Sequence, residues 1–416
     1  MRKLKIAVIG SGISGLSCAW KLSGHHHVDL FEKNSYFGGH TNTQNIIIQG
    51  KKISVDTGFI VFNNLNYPNL CNFFKTLKVN TYKSDMSFGV SIKRENLEYS
   101  GTNFLTLFAQ KKNIFNLHFW KMLFEILQFN RNVEKDKNEF SNYTIDDYLN
   151  VKGYSDYFKK NHIYPVAASI WSSNMDDIKK YPFSKFVDFF SNHGLLKVFN
   201  RPKWKTVVDG GQTYVKKVLK LKNINAHSNV KVNIRNMNNK IFLNVKGKKK
   251  IYDHLVLAVH ADQVKDIIKL PTNQKKTFDS IKYTKNTVYL HSDNSLMPKI
   301  KKVWSSWNYL DDGEEAGSLT VTYWMNNLQS LKTKTNIFVS LNPSKPPESN
   351  KIFKIINYEH PIFDQNTFVN QKKIVKYQGQ RNIWYCGAYL GYGFHEDGIR
   401  SGLSTAKKIL EQTKNV

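Results

Sequence analysis

Residues 5–15, KIAVIGSGISG, decide how the rest of the chain is read. KIAVI is a short apolar run of the kind a buried strand uses, and GSGISG leads at once into LSCAWKLS, which has helical character. Strand, glycine turn and helix therefore follow without a break, with Gly10, Gly12 and Gly15 in GxGxxG spacing. The first glycine permits the tight turn, the second lets a pyrophosphate lie against the backbone, and the third brings helix and strand close. Ser11, Ile13 and Ser14 complete the loop, whose unpaired N–H groups and helix dipole favour a phosphate. VDLFE, residues 28–32, reads as a second strand ending in Glu32, with Lys33 beside it. A carboxylate there accepts hydrogen bonds from both hydroxyls of an adenosine ribose and repels a 2′-phosphate. The pattern predicts a dinucleotide site.

The bulk properties agree with a folded enzyme-sized chain. The 416 residues, 41% hydrophobic and 22% charged, suffice for one large or two interleaved domains. Cys18, Cys71 and Cys386 are odd in number and form no CxxC pair, which argues against a disulfide framework or a thiolate zinc site. No metal is expected, and a reducing, cytoplasmic compartment is. The opening MRKLKIAVIG has basic residues before an apolar run, but Gly10 ends that run after IAVI, so it reads as mature structure. No window offers the ~18 uncharged apolar residues of a membrane span. The net charge of +29 comes from lysines scattered in pairs and triplets such as Lys248-Lys249-Lys250. A generic basic surface is the preferred reading, contact with an anionic inner-membrane surface the next, and no nucleic-acid motif accompanies the charge.

The stretch after the second strand separates the candidate dinucleotides. KNSYFGGHTNT places Gly38, Gly39, His40, Thr41 and Thr43 where a loop could run beneath an extended flavin nucleotide, and VDTGFIVFN follows with Asp56 and Gly58. GxGxxG, Glu32 and GGHTNT together resemble the flavin-containing amine oxidase superfamily. The resemblance implies bound FAD and a fold class of α/β type. A Rossmann-like FAD-binding domain of the amine-oxidase kind would be interleaved with a mixed sheet-and-helix substrate domain. The FAD domain is expected from residues 1–80, 200–270 and 370–416, and the substrate or cap domain from 81–199 and 271–369. By the same resemblance Val230, in HSNVKV, would meet the adenine through its backbone.

Near the C-terminus, WYCGAYLGYGFHEDGIRSG (384–402) looks like the flavin-end counterpart of the first glycine cluster. WYCGAY reads as a strand containing Gly387, and Gly398-Ile399 as the start of a helix whose N–H groups would face the flavin ring, with Asp397 beside them. Tyr392, His395 and Glu396 are the candidate catalytic residues. His395 suits acid–base work, and helix capping is the competing role for these polar groups. Members of the superfamily usually carry Gly-Glu where this chain has Gly387-Ala388, and a lysine near the reactive flavin nitrogen. Lys285 and Asn286 are the nearest candidates for the latter.

The middle of the chain reads as a helical block over about 80–200. Residues 104–129, FLTLFAQKKNIFNLHFWKMLFEILQF, predict a helical hairpin or one amphipathic helix, either a cap on the core or a peripheral membrane contact. NHIYPVAASIWSSN (161–174) either lines a substrate cavity or is core. From residue 206 β patterns return: KVNIRNMNNKIFLNVKG as a hairpin, YDHLVLAVHADQV as a buried strand ending near His260, and further strands through residue 326 as a second sheet.

The run from IWSSN through VVDGGQTYV and VTYWMN to the C-terminal motif is similar to a bacterial subgroup of predicted NAD/FAD-binding proteins. Their genes often lie beside cyclopropane-fatty-acid synthases. That resemblance implies an FAD-dependent dehydrogenase or desaturase acting on fatty acyl or lipid chains, with a synthase-like methyltransferase as functional partner. The alternatives are a flavin amine oxidase, a redox-neutral fatty acid isomerase or hydratase, and a catalytically idle flavin-binding partner of a methyltransferase. With a single GxGxxG, NAD(P)H is not expected as direct reductant; oxygen, a quinone or a carrier protein would take the electrons.

Overall fold

A computed structural model describes residues 3–197, 200–237, 240–245, 247–313 and 320–414. The opening motif folds as the spacing dictates. Lys5–Ile9 forms a strand, Gly12 caps the helix Ile13–Ser23, and His27–Phe31 returns as the neighbouring parallel strand. Three later segments complete a five-stranded parallel sheet ordered Ile224–His227, His27–Phe31, Lys5–Ile9, His254–Leu257, Ile383–Tyr385. Parallel strands buried on both faces must be apolar throughout. Here Ile6 and Val8 face a core with Leu16, Trp384 and Ile409, while Ala7 and Ile9 face one with Leu243, Tyr252 and Phe278. The second of these cores lies under an antiparallel sheet of Asn233–Met237, Lys240–Val245 and Lys248–Tyr252, so the anticipated hairpin gains a third strand.

All five parallel strands fall within 1–80, 200–270 and 370–416. The rest of the chain builds a seven-stranded sheet ordered Ile352–Pro361, Tyr283–His291, Phe338–Leu341, Thr320–Trp324, Trp307–Asp311, Phe88–Ile92, Leu97–Ser100. Its pairings are antiparallel except where Trp307–Asp311 meets Phe88–Ile92. The block expected to be helical therefore contributes two strands to this sheet, and a third, Thr81–Lys83, pairs with Trp204–Val207, before its helices begin. Those helices, Leu117–Asp136, Ile145–Val151, Tyr164–Trp171 and Phe183–Asn192, share one large aromatic core with the sheet.

Residues 104–129 form neither a hairpin nor a single helix. A short helix Phe104–Leu107 is capped by Asn103, a 3-10 turn spans Lys111–Phe115, and Asn116 caps the long helix by accepting from the His118 and Phe119 N–H groups. Two asparagines that satisfy fresh helix starts divide the segment. Among the described residues no helix is long and apolar enough to cross a membrane.

A buried joint ties the hairpin Thr43–Ile48/Lys51–Asp56 to the segments around Gly211 and Gln329. The Asp56 carboxylate accepts from Thr43 Oγ1, from the Gly211 N–H (3.0 and 3.1 Å) and from Gln329 Nε2 (2.9 Å), while Gln329 Oε1 accepts from the Asp56 N–H. Asp56 is 1% exposed, and burial pushes its pKa up to about 6. The sequence motifs VDTG and VDGG are thus two sides of one contact.

Candidate active site

The glycine loop and the far helices border a single cavity of about 2400 Å³. Ordinary small-molecule pockets span roughly 300–1,000 Å³, so a dinucleotide and a second molecule both have room. Gly10, Ser11, Gly12, Glu32, Gly39, His40, Gly58 and Val230 line one end. At Gly12 a Cβ would meet nothing within 4 Å, and no side chain caps the helix it starts. This N-terminus therefore presents open space and unpaired N–H groups, as an anion requires. Gly39 lies against Gly12, where an added Cβ would come within 3.1 Å of the Gly12 Cα.

Glu32 and Val230 lie side by side. The Val230 N–H donates to the Glu32 carbonyl at 3.0 Å. Glu32 Oε2 accepts from the Ser11 N–H (3.1 Å) and Oγ (2.6 Å), and Oε1 accepts from the Asn34 N–H (2.9 Å). The carboxylate thus shapes the glycine loop, and Glu32 borders the cavity beside it. Ser11 Oγ in turn accepts from the Gly38 N–H at 3.1 Å, which carries the same network to the second glycine cluster. Lys33 borders the cavity from the exposed side.

The C-terminal motif behaves differently from its sequence reading. Gly387, Tyr392 and His395 line the cavity, but Glu396, Asp397, Gly398 and Ile399 do not. Glu396 accepts from the Asn69 N–H and Nδ2 and from the Leu70 N–H, capping the helix Pro68–Thr76. Asp397 accepts from the Tyr392 and Phe394 N–H groups and pairs with Arg400. The Gly398 N–H is already spent on the Phe394 carbonyl at 3.0 Å. Gly398 and Gly402 instead let the terminal helix cross Ile13–Ser23, since a Cβ on Gly402 would come within 2.2 Å of the Ser14 carbonyl oxygen. Ile399 is fully buried in that same core. The two termini do meet, through helix–helix packing. His395 is also anchored: Nε2 bonds Thr41 Oγ1 (3.0 Å) and Tyr214 OH (2.9 Å), and its ring stacks on Phe59 at 3.7 Å. Burial, then the neighbouring His40, lowers its pKa to about 3.

A cluster invisible to sequence spacing faces the cavity instead. The His40 ring stacks on Tyr358 (4.8 Å) and lies 5.0 Å from His360 and 6.2 Å from His260. His40 Nε2 is buried without a partner. Asn286 Nδ2 donates to His360 Nδ1 at 2.8 Å, while Asn286 Oδ1 accepts from Asn342, so the His360 proton sits on Nε2. His260 stacks on Tyr283 at 4.6 Å and approaches Glu359 at 3.6 Å. Burial, together with mutual repulsion among these rings, holds His40 near 4 and His360 near 3; burial and Lys33 bring His260 to about 4. All three are neutral at physiological pH. Strand pairing of Tyr283–His291 with Ile352–Pro361 brings His360 and Asn286 side by side, and Lys285 opposite Glu359. Lys285 also lines the cavity.

The remaining wall is mostly apolar. Ser169, Ile170, Trp171 and Ser172 line it, so the IWSS stretch serves both cavity and core, with Trp171 only 6% exposed.

Comparison with known proteins agrees with this architecture. Residues 8–77 match the model of an NAD(P)-binding Rossmann-like domain. The whole chain has the fold of flavin amine-oxidase-type enzymes. It is similar to the CLA-producing fatty acid isomerase from P. acnes, at 15% identity over 97% of this chain and 98% of that one, with a TM-score of 0.71. It is similar to cyclohexylamine oxidase from Brevibacterium oxydans, at 13% identity over 99% and 100% of the chains and a TM-score of 0.69. Putrescine oxidase bound to putrescine gives 14% identity, 99% of each chain and a TM-score of 0.64. No curated protein matches the sequence.

Proposed function

We propose that this chain is an FAD-dependent oxidoreductase that acts on the hydrocarbon chain of a fatty acyl or lipid substrate, as a dehydrogenase or desaturase. The observation that carries the substrate class is the cavity, which runs from the glycine loop between apolar and aromatic walls to Phe104, Trp120 and Leu127. The open cradle at Gly12 and the partnerless His40 Nε2 fit a bound dinucleotide. The Gly10–Ser14 loop would hold its pyrophosphate, Glu32 and Val230 the adenosine end, and Gly39, His40, Gly58 and Gly387 the remainder, whereas Gly15 and Gly38 are buried off the cavity and Thr41 is tied to Tyr214 and His395. Bound FAD supplies a two-electron acceptor for C–H oxidation. The chain's own residues do the rest. Phe108, Phe129 and Ile163 exclude water and align a flexible hydrocarbon. His40 and His360, both neutral, border the cavity as candidate proton-transfer groups, and the Nδ1 of His360 accepts from Asn286, which leaves its proton on Nε2.

That pair also favours a second reading, redox-neutral double-bond isomerisation, since one neutral imidazole can take a proton where its neighbour gives one. The fold's similarity to a fatty acid isomerase supports it.

The test is anaerobic mixing of FAD-loaded protein with phospholipids bearing unsaturated or methyl-branched chains, and separately with alkyl amines. Loss of flavin absorbance with lipid only is the expected result. Unchanged absorbance with shifted double bonds selects isomerisation. Bleaching by amines alone overturns the acyl-chain reading.

A further inference from the structure

Half of the exposed large hydrophobic side chains sit in one short segment. Of the sixteen among the described residues, eight fall between residues 104 and 127: Phe104, Leu105, Ile114, Phe115, Leu117, Trp120, Phe124 and Leu127. Phe115 is 86% exposed and Leu117 81%. The long helix turns Phe119, Met122, Phe129 and Val133 into the core and Leu117, Trp120, Phe124 and Leu127 outward, at helical spacing. A surface helix ordinarily places polar groups on its outer face, so an apolar stripe on both faces signals a second apolar neighbour.

The segment is held firmly. Asn103 and Asn116 cap its helices, and Trp120 Nε1 donates to the Ile114 carbonyl at 2.8 Å, which pins the 3-10 turn against the long helix. Its charge is one-sided. Between residues 103 and 131 the exposed charged residues are Lys111, Lys112, Lys121 and Arg131, and none is ion-paired with a described residue. The lone acid, Glu125, is buried and accepts from the Ser155 N–H and Oγ. Finally, Phe104, Trp120 and Leu127 are exposed and also line the cavity, so the cavity reaches the surface within this patch.

We propose that this face docks on an anionic phospholipid bilayer, with its aromatic and aliphatic side chains in the interfacial region, its basic residues against lipid phosphates, and the cavity mouth opening toward the lipid. Apolar side chains rimmed by unpaired cations match a surface that offers hydrocarbon below anionic headgroups. A second copy of the chain would instead bring four like charges against four. The docking goes beyond the proposed chemistry and is read without turnover, so either can fail alone.

Flotation of the full-length, FAD-loaded protein tests it. Vesicles of mixed phosphatidylglycerol and phosphatidylcholine should carry the protein, pure phosphatidylcholine far less, and high salt should release it. Lys111→Gln/Lys112→Gln/Lys121→Gln should weaken binding about a hundredfold, from about fivefold per lysine near a charged surface. Phe115→Ser/Phe124→Ser should weaken it at least about tenfold with an unchanged melting temperature, since both rings are exposed. Failure of the wild type to float with anionic vesicles overturns the proposal. So does equal binding by both variants, which would assign attachment to the scattered lysines elsewhere. A dimer on size exclusion that Phe115→Ser/Phe124→Ser disperses, without vesicle binding, overturns it in favour of self-association.

Discussion

Asp56→Asn probes whether the two glycine motifs VDTG and VDGG form one buried joint. The wild-type carboxylate sits between Thr43, Gly211 and Gln329 with 1% exposure, and its pKa is raised from 3.8 to about 6. A folded-state pKa above the unfolded one means that the protonated form is the stabilising one. Its contribution is full below about pH 4 and gone once pH passes about 6. At 1.36 kcal/mol per pKa unit the whole effect is about 3 kcal/mol, of which about 1.4 kcal/mol is lost between about pH 5 and about pH 7.5. Asparagine has no proton to lose. It will lower stability at both pH values, because its amide nitrogen must face Gln329 Nε2 or the Gly211 N–H. The informative quantity is therefore the difference in slope. Urea unfolding at the two pH values should show the wild type losing about 1.4 kcal/mol more than the variant on going from acid to base. The buried histidines titrate in the opposite sense over the same range, but they are common to both proteins and cancel. A slope difference near zero, or of opposite sign, would show that Asp56 is solvated and that the joint is not dry.

Two further substitutions separate cofactor contacts from scaffolding. Gly12→Val adds a side chain into open space, so thermal stability should change by less than about 1 kcal/mol while FAD affinity, followed by flavin fluorescence quenching, drops more than about tenfold. Unchanged affinity would mean that nothing lies over Gly12. Glu396→Gln should cost about 1–2 kcal/mol through the weakened cap on Pro68–Thr76, yet leave kcat per bound flavin and its pH profile intact. A collapsed kcat at full FAD occupancy would return Glu396 to the catalytic group.

The parts of the fold that were legible in the sequence are those whose physics is local. Gly10, Gly12 and Gly15 each answer a steric demand within one strand–turn–helix unit, so their spacing reveals both the unit and the ligand class. Glu32 lies at the end of the next strand, and the parallel sheet places it beside the loop. The acids around Gly398 misled for the same reason: their neighbours in sequence suggested a flavin-facing helix start. What fixes Glu396 is Asn69 and Leu70, more than three hundred positions away, and what needs Gly398 and Gly402 to be small is Ser14 on another helix. The division of residues 104–129 was legible in principle, since Asn103 and Asn116 are good helix caps, but the dense aromatic pattern masked the breaks. Of the histidine cluster only His40 carried a signal, as part of GGHTNT. His40, His260 and His360 belong to a loop, a turn past a parallel strand and a strand of the other sheet; strand register sets only His360, beside Asn286, and tertiary packing brings the other two to it.

The polarity of the cavity also bears on how a lipid could be presented. Its inner end, beside Gly12 and Gly39, gathers the imidazoles and Tyr358, while its outer end at Phe104, Trp120 and Leu127 is hydrocarbon. A free amine entering by that end would cross an apolar mouth before meeting a polar partner, and a charged group loses several kcal/mol on such a passage. An acyl chain gains along the whole route. If its headgroup stays with Lys111, Lys112 and Lys121 at the surface, the chain must enter tail first. The bond that reaches His40 is then set by the length of the passage rather than by recognition of the headgroup. Lipids with one chain and different anionic headgroups should therefore react at the same carbon, whereas chains with the double bond displaced should differ sharply in rate.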